Sequence, residues 1–328
     1  MSRATAIARS HEASWRERHP WWPQARRALT LLFFAAVAVL LVTQARRIEW
    51  DEVLDVIAGY PLRTIATAAA LALLSYLVYS SYDLLGRAWT LHGLPAWKVM
   101  AVTFVSYAFN LNFGTMVGGI AFRYRLYSRL GLSNAVITRV LGLSLATNWL
   151  GYLVVAGVVF ALGIIVPPAG WEIGAMALRS IGIAMLLAAA CYVATCGLSR
   201  RREWNVRGHE VVLPPLRLAC MQILLSCANW SVIGGVIFVL MQGKVGYPMV
   251  LAVLLTGALA GAIAHIPAGL GVLEAVFVAL LVPPRGHGEV IAALLAYRAL
   301  YYLGPLLIAC GVYLFLETSA KKQRTPRG

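Results

Sequence analysis

One apolar stretch of the chain is interrupted by the run His265-Ile266-Pro267-Ala268-Gly269-Leu270-Gly271, and it resumes with a carboxylate at Glu274. A broken helix in hydrocarbon leaves backbone N–H and C=O groups unpaired, so it persists only where protein surrounds it or a polar cavity adjoins it. The next long apolar stretch begins near Glu289 and carries Arg298 about nine residues further on, roughly 13 Å along a helix axis. An ionisable group near the middle of a ~30 Å hydrocarbon core is expensive and suggests a functional role. The sequence therefore predicts a functional region at this break, with Glu274 as the nearest candidate partner of Arg298.

The composition indicates an integral membrane protein. Of the 328 residues, 60% are hydrophobic and only 12% are charged, and the mean hydropathy is +0.75. This balance lies outside the range of soluble domains. The apolar runs predict helices near 28–43, 64–82, 97–116, 134–166, 176–198, 216–241, 249–265, 272–283 and 289–316. The net charge of +15 does not suggest nucleic-acid binding, because the basic residues occupy short connections between apolar runs, as the positive-inside rule predicts.

The connections orient the chain in the membrane. Arginine and lysine cluster in 1–27, in the 199–217 loop and in the tail 317–328, which predicts that these segments and both termini are cytoplasmic. The stretch 97–133 must then enter from the cytoplasm and return there, with its tip among the amides and glycines of 109–119. By the same reasoning, 249–283 enters and leaves from the outside. We therefore predict an all-α polytopic membrane protein with about seven spanning helices and two oppositely oriented re-entrant hairpins.

The two hairpins match in register. Gly118 lies five residues before Arg123, as Gly269 lies five before Glu274, and each hairpin precedes a long helix that carries an arginine, Arg139 or Arg298. This pattern favours an inverted repeat, an architecture that places the binding site of many transporters between the two halves. We expect the halves to span about 64–198 and 216–316, within one membrane domain of residues 28–316. The residues expected at the two breaks are His265, Pro267, Gly269, Gly271, Asn110, Gly118 and Gly119.

Two sequence blocks carry a family resemblance. The runs AHIPAGLGVLEAVFVALL (264–281) and LLAYRALYYLGPLL (294–307) resemble the C-terminal hallmark of the transmembrane, flippase-like domain of lysylphosphatidylglycerol synthases. The matching features are Pro267, Gly269, Gly271, Glu274, Arg298 and Tyr301. In the first half, GGIAFRYRLYSRLGLS (118–133) is similar to the corresponding family block, although Met116-Val117 and Ala121 stand where the family commonly has a proline and a carboxylate.

This resemblance implies a stand-alone bacterial inner-membrane member that lacks the synthase domain and moves lipid. The expected substrate is an anionic phospholipid or a polyprenyl-phosphate lipid, whose headgroup would contact Arg298, Arg123, Arg139, Glu274 and Tyr301. Two other functions stay open at this point: a scaffold that holds a lipid-synthesising enzyme, and a transporter of small solutes. Nothing in the sequence defines the oligomeric state.

Several residues also have a purely structural explanation. Glu274 is placed to cap the helix that follows Gly271, and Arg298 to serve as a structural counter-ion. His265 suits either a proton sensor or a partner of freed carbonyls. Asp83 and Arg87 have the spacing of a local ion pair on a helix.

Catalytic signatures are missing from the sequence. The chain contains no nucleophile elbow, Walker loop or paired-cysteine motif, and its five cysteines have spacings that fit no metal site. We therefore expect neither an enzyme nor a bound cofactor or metal.

Overall fold

The structure is a computed structural model that describes residues 39, 50–165, 174–199, 203–206, 209–264, 271–281 and 287–322. The chain divides into two units, Met1–Glu52 and Val53–Gly328. In the first unit the described residues are helical. Everything that follows concerns the second unit.

The described chain is nearly all helical. In order, its α-helices are α1 Trp50–Ala58, α2 Leu62–Ser80, α3 Tyr82–Thr90, α4 Ala96–Phe113, α5 Phe122–Arg129, α6 Asn134–Ala161, α7 Ala175–Leu198, α8 Leu216–Leu240, α9 Tyr247–Ala264, α10 Val272–Leu281, α11 His287–Tyr297 and α12 Gly304–Lys322. Two π-helical segments interrupt this series, the first at Thr115–Ala121 and the second at Arg298–Leu303.

A short β-hairpin is the exception to the all-α prediction. Strands β1 (Glu203–Val206) and β2 (His209–Val212) pair antiparallel within the basic loop between α7 and α8. The hydropathy pattern did not predict it, because the strands lie between apolar runs and not within one.

Prolines mark where several helices begin. Pro61, Pro95 and Pro215 directly precede α2, α4 and α8, each with φ between −58° and −65°. A proline fixes this angle and cannot continue a helix backwards, so it separates the helix from the loop before it. At α6 a side chain does the same work, since the Ser133 hydroxyl accepts a hydrogen bond from the Val136 N–H.

Five helical stretches among the described residues are long and apolar enough to cross a membrane. They are Leu62–Thr90, Asn134–Ala161, Ala175–Leu198, Leu216–Leu240 and Gly288–Glu317. α8 packs against both α2 and α6, and α6 packs against α7. Of the predicted helix at 28–43, only Val39 is described, so the total of about seven spans stays a prediction.

The first predicted break lies at Gly114. This residue ends α4 with φ +84°, a left-handed conformation that glycine adopts at little cost. The chain then folds back, and the rings of Phe109 on α4 and Phe122 on α5 stack with their centroids 4.1 Å apart. The result is a helical hairpin at the predicted position, here called the first hairpin (Ala96–Arg129). Its re-entrant placement in a membrane remains a prediction.

The second hairpin (Tyr247–Leu281) pairs α9 with α10. A Cβ atom at Gly257 would lie 2.8 Å from a methyl group of Leu273, so the absence of a side chain allows the two helices to approach closely. Gly271, with φ +80°, begins the return arm. The rest of the predicted break, including His265, Pro267 and Gly269, lies outside the described residues.

Candidate functional site

Arg298 and Glu274 form a bidentate ion pair. The guanidinium donates from Nε to Glu274 Oε1 and from Nη2 to Oε2, the latter at 3.0 Å. Glu274 also accepts a hydrogen bond from the Gly271 N–H at 3.0 Å, so the same carboxylate caps α10. The Arg298 guanidinium lies 5.5 Å from the centre of the Tyr302 ring, within the range of a cation–π contact. Both roles weighed for Glu274, helix cap and ion partner, are therefore compatible in one geometry.

A second arginine pair lies on the first hairpin. Arg123 Nε donates to Asp83 Oδ2 at 3.1 Å, and the two side chains are 1% and 0% exposed. The Tyr127 hydroxyl donates to the same carboxylate oxygen at 2.8 Å, and Arg123 also donates to Ser144 Oγ at 3.1 Å. This pair is thus fully desolvated and held by neighbouring hydrogen bonds, whereas the Arg298 and Glu274 side chains keep 14% and 24% of their exposure.

Asp83 was missed as a site residue. We expected it to pair with Arg87, but Arg87 donates instead to the Leu94 carbonyl at 2.7 Å. The available signal was that a buried arginine requires an acidic partner, and Asp83 is among the few carboxylates within the apolar runs. Local helical spacing pointed to the wrong arginine because the true partner lies 40 residues away along the chain.

A cluster of tyrosines lies between the two ion pairs. Tyr79, whose ring is 5.9 Å from the Arg123 guanidinium, stacks on Tyr107 with centroids 3.6 Å apart. The Tyr107 hydroxyl lies 3.0 Å from that of Tyr301, and Tyr301 in turn stacks on Tyr297. Of these residues the sequence analysis singled out only Tyr301, because hydropathy does not distinguish a tyrosine that contacts a partner from one that faces lipid.

A cavity of about 220 Å³ lies between the two hairpins. The first hairpin, the second hairpin, α8 and the end of α11 with the second π segment all contribute to its lining. The lining residues are Tyr107, Asn110, Leu111, Thr115, Trp230, Ile233, Leu254, Gly257, Ala258, Gly261, Leu273, Tyr297, Tyr301 and Tyr302. None of these described residues is charged. The arginine lining that we expected is therefore replaced here by hydroxyl, amide and apolar groups, with Arg298 next to the cavity behind Tyr302.

The other predicted residues have different positions. Gly118 and Gly119 are buried in the first π segment and lie against Asn110. Arg139 is exposed on α6 and is not among the described residues that line the cavity. The structure thus brings Asn110, Tyr301, Glu274 and Arg298 to one region and places Arg139 elsewhere.

A second cavity, of about 270 Å³, lies at the other end of α8. Asp55, Tyr60, Lys244 and Glu289 are among the residues that line it, and Lys244 Nζ lies 2.8 Å from Glu289 Oε1 in a pair that is half exposed. Burial, with a smaller contribution from the Glu289 carboxylate, raises the pKa of the Tyr60 phenol. The sequence gave no indication of this cavity.

Glu317 joins the first hairpin to α12. Its Oε1 lies 3.1 Å from Nη2 of Arg125 and 3.1 Å from Nη2 of Arg129, and Arg125 also donates to the Tyr313 hydroxyl at 2.8 Å. The Glu317 side chain is 9% exposed, so its charge is compensated by these two arginines more than by water.

We expect Glu317→Gln to lower the free energy of unfolding by about 1–3 kcal/mol, because hydrogen bonds to charged groups contribute about that much. Glu289→Gln is the matched control, since it removes a carboxylate from a half-exposed pair and should cost at most about 1 kcal/mol. Denaturant unfolding of the full chain in detergent measures both. Equal effects of the two changes would contradict the assignment of Glu317 as a partly buried counter-ion.

The fold and the site together define a multi-pass helical protein of the inner membrane with a cavity between two helical hairpins. No family model matches the chain. Inner membrane protein YbhN of Escherichia coli (strain K12) is 48% identical over 307 residues, which cover 93% of this chain and 96% of YbhN. An uncharacterized protein of Synechocystis sp. (strain ATCC 27184 / PCC 6803 / Kazusa), slr0712, is 29% identical over 281 residues, 84% of this chain and 87% of that protein. The chain belongs to the family of inner membrane protein YbhN. The resemblance to lysylphosphatidylglycerol synthases stays a prediction.

Proposed function

We propose that this protein moves a phospholipid with an anionic headgroup across the bacterial inner membrane, as the flippase-like domain of lysylphosphatidylglycerol synthases is expected to do. The observation that carries the proposal is the Arg298–Glu274 pair, which lies beside a cavity between two helical hairpins. The headgroup would pass through the cavity while the acyl chains remain in the bilayer. Such a path avoids the cost of exposing a phosphate to hydrocarbon without a partner.

Arg298, and not Arg123, is the arginine that would bind the phosphate. Arg123 is fully buried against Asp83 and has further hydrogen-bond partners, so its release would leave an isolated charge in the protein interior. Arg298 remains partly exposed. Its planar guanidinium binds a carboxylate or a phosphate with the same two-point geometry.

Glu274 would hold Arg298 while the cavity is empty. When a phosphate displaces it, the carboxylate still accepts from the Gly271 N–H and lies at the start of α10, where the helix dipole favours negative charge. Exchange of one anion for another therefore leaves neither charge without compensation. Glu274 would also be the natural proton acceptor if transport is coupled to a proton gradient.

The proposed topology follows the distribution of positive charge. Both termini and the basic loop between α7 and α8 would be cytoplasmic, and the first hairpin would open to the cytoplasm and the second to the outside. Residues 28–316 would form the transporting domain, between the basic segments 1–27 and 317–328. The two hairpins would meet near the middle of the bilayer, where inverted-repeat transporters bind substrate.

The test is a headgroup-accessibility assay with labelled phosphatidylglycerol in proteoliposomes. We expect wild-type protein to equilibrate the label between leaflets, and Arg298→Ala to slow this by about tenfold or more, because a charge-assisted hydrogen bond contributes about 1.5–3 kcal/mol. Glu274→Gln should also slow it. Arg63→Ala, an exposed arginine at the start of α2, is the matched control and should keep the wild-type rate.

Reconstitution and folding must be equal for all four proteins, as judged by size-exclusion elution and thermal unfolding. Lipid movement at the wild-type rate in Arg298→Ala would contradict the proposal. If no tested anionic lipid moves even with a proton gradient imposed, a scaffold for a lipid-synthesising enzyme becomes the better assignment. A free solute that competes with lipid would favour the solute transporter.

A further inference from the structure

The tyrosine cluster contains a hydrogen-bond chain whose direction can be assigned. The Ser75 hydroxyl donates to Asn229 Oδ1 at 2.7 Å, and an amide oxygen only accepts. Ser75 has a single proton, so the Tyr301 hydroxyl, 2.6 Å away, must donate to Ser75. The Tyr107 hydroxyl, 3.0 Å from that of Tyr301, must then donate to Tyr301.

The chain therefore ends at the cavity with an acceptor. Every proton in it is directed toward Asn229, away from the cavity, so the Tyr107 oxygen keeps only lone pairs for a further partner. Asn110 lies one helical turn further along α4 and lines the same cavity. Its Oδ1 is buried and has no hydrogen-bond donor among the described residues.

Two acceptors without donors indicate the chemistry of a ligand. Buried polar atoms in folded proteins are almost always hydrogen-bonded, so Tyr107 and Asn110 require a group that donates. Hydroxyl groups and ammonium groups both donate, and the surroundings distinguish them. The described lining contains no carboxylate to neutralise an ammonium, and the Arg298 guanidinium beside Tyr302 would repel a second cation.

We propose that the cavity binds the hydroxyl-bearing part of a headgroup, a polyol such as glycerol or a sugar, while Arg298 binds the phosphate that joins it to the lipid. This inference rests on the proposed function. The volume of about 220 Å³ is several times the ~30 Å³ that one water takes in the liquid, so a small polyol fits. Leu111, Ile233 and Trp230 provide apolar surface for its C–H groups.

The test compares short-chain lipids that share a phosphate and differ in what it carries. Phosphatidylglycerol carries a polyol, phosphatidylethanolamine an ammonium, and phosphatidic acid neither. We expect wild-type protein in detergent to bind phosphatidylglycerol about tenfold more tightly than either of the others, as measured by thermal stabilisation over a lipid titration. Asn110→Leu and Tyr107→Phe should each reduce that preference about three- to tenfold, the range of one hydrogen bond.

Tyr152→Phe is the matched control. It removes a buried hydroxyl that donates to the Leu255 carbonyl and does not line the cavity, so the preference should stay at the wild-type value. Comparison of preferences within each variant removes any general loss of stability from the result. Equal binding of the three lipids by wild-type protein, or an unchanged preference in both cavity variants, would overturn the inference.

A further arm separates this inference from the proposed function. If the protein moves lipids in proteoliposomes without discrimination among headgroups, the polyol site is wrong and lipid transport stands. If glycerol 1-phosphate binds as tightly as phosphatidylglycerol and depends on Asn110 and Tyr107, the polyol site stands and the ligand is a free solute. Absence of binding by all four probes would overturn the polyol site, and lipid movement would then be judged by the proteoliposome assay.

Discussion

Asp83→Leu should lower the free energy of unfolding by about 3–5 kcal/mol, the cost of leaving one member of a buried ion pair without its partner. Arg123 is 1% exposed, so water cannot replace the lost carboxylate. The Tyr127 hydroxyl loses its acceptor as well. Since domains are stable by only about 5–15 kcal/mol, this change should be visible as a large shift in denaturant unfolding of the detergent-solubilised protein.

The double variant Asp83→Leu with Arg123→Met should recover most of that loss. Replacement of both members of a buried pair by apolar residues is often neutral or stabilising. The same protein tests the role of Arg123 in transport. If the refolded double variant moves lipid at the wild-type rate, the Arg123–Asp83 pair is structural; loss of transport in a stable double variant would return Arg123 to the headgroup site. A double variant less stable than Asp83→Leu alone would contradict the analysis of the pair.

Gly118→Ala should destabilise the protein by about 3 kcal/mol, the upper end of the usual cost of overpacking. A Cβ atom at this position would lie 1.9 Å from the Asn110 nitrogen and 2.1 Å from the Phe109 carbonyl carbon. Both obstacles are backbone atoms, so no side chain can turn aside to make room. The first π segment would have to move away from α4, and Asn110 would move with it.

Gly142→Ala is the control for this change. Gly142 lies within α6 and has open space where a Cβ atom would be, so alanine should be neutral or should stabilise the helix by up to about 1 kcal/mol. Thermal unfolding of the two variants in the same detergent gives the comparison. If both alanines are tolerated equally, the close approach of the first π segment to α4 is wrong.

The sequence predicted the helices better than their partners. The predicted 134–166 and 216–241 correspond closely to Asn134–Ala161 and Leu216–Leu240, because long apolar runs leave little choice but a helix. The break in the first hairpin was also placed correctly, at a glycine among polar residues. The π segments were not predicted, since a change of one residue per turn does not alter the composition of an apolar run.

Contacts between distant helices explain the rest. The Glu274–Arg298 pair was a candidate because both charges lie near one break and are 24 residues apart. Asp83 and the tyrosines Tyr76 and Tyr107 come from other helices, and no local pattern links them to Arg123 or Tyr301. The uncharged lining of the cavity could not be foreseen either, because the sequence does not show that each arginine already has a carboxylate beside it.

The second π segment also limits how such a chain can change in length. An α-helix turns by about 100° per residue, so the gain or loss of one residue within 298–303 would rotate everything before it by that angle against α12. Arg298 would then face away from Glu274, and Tyr301 away from Ser75. We therefore expect related chains to tolerate substitutions in this segment far more readily than insertions or deletions.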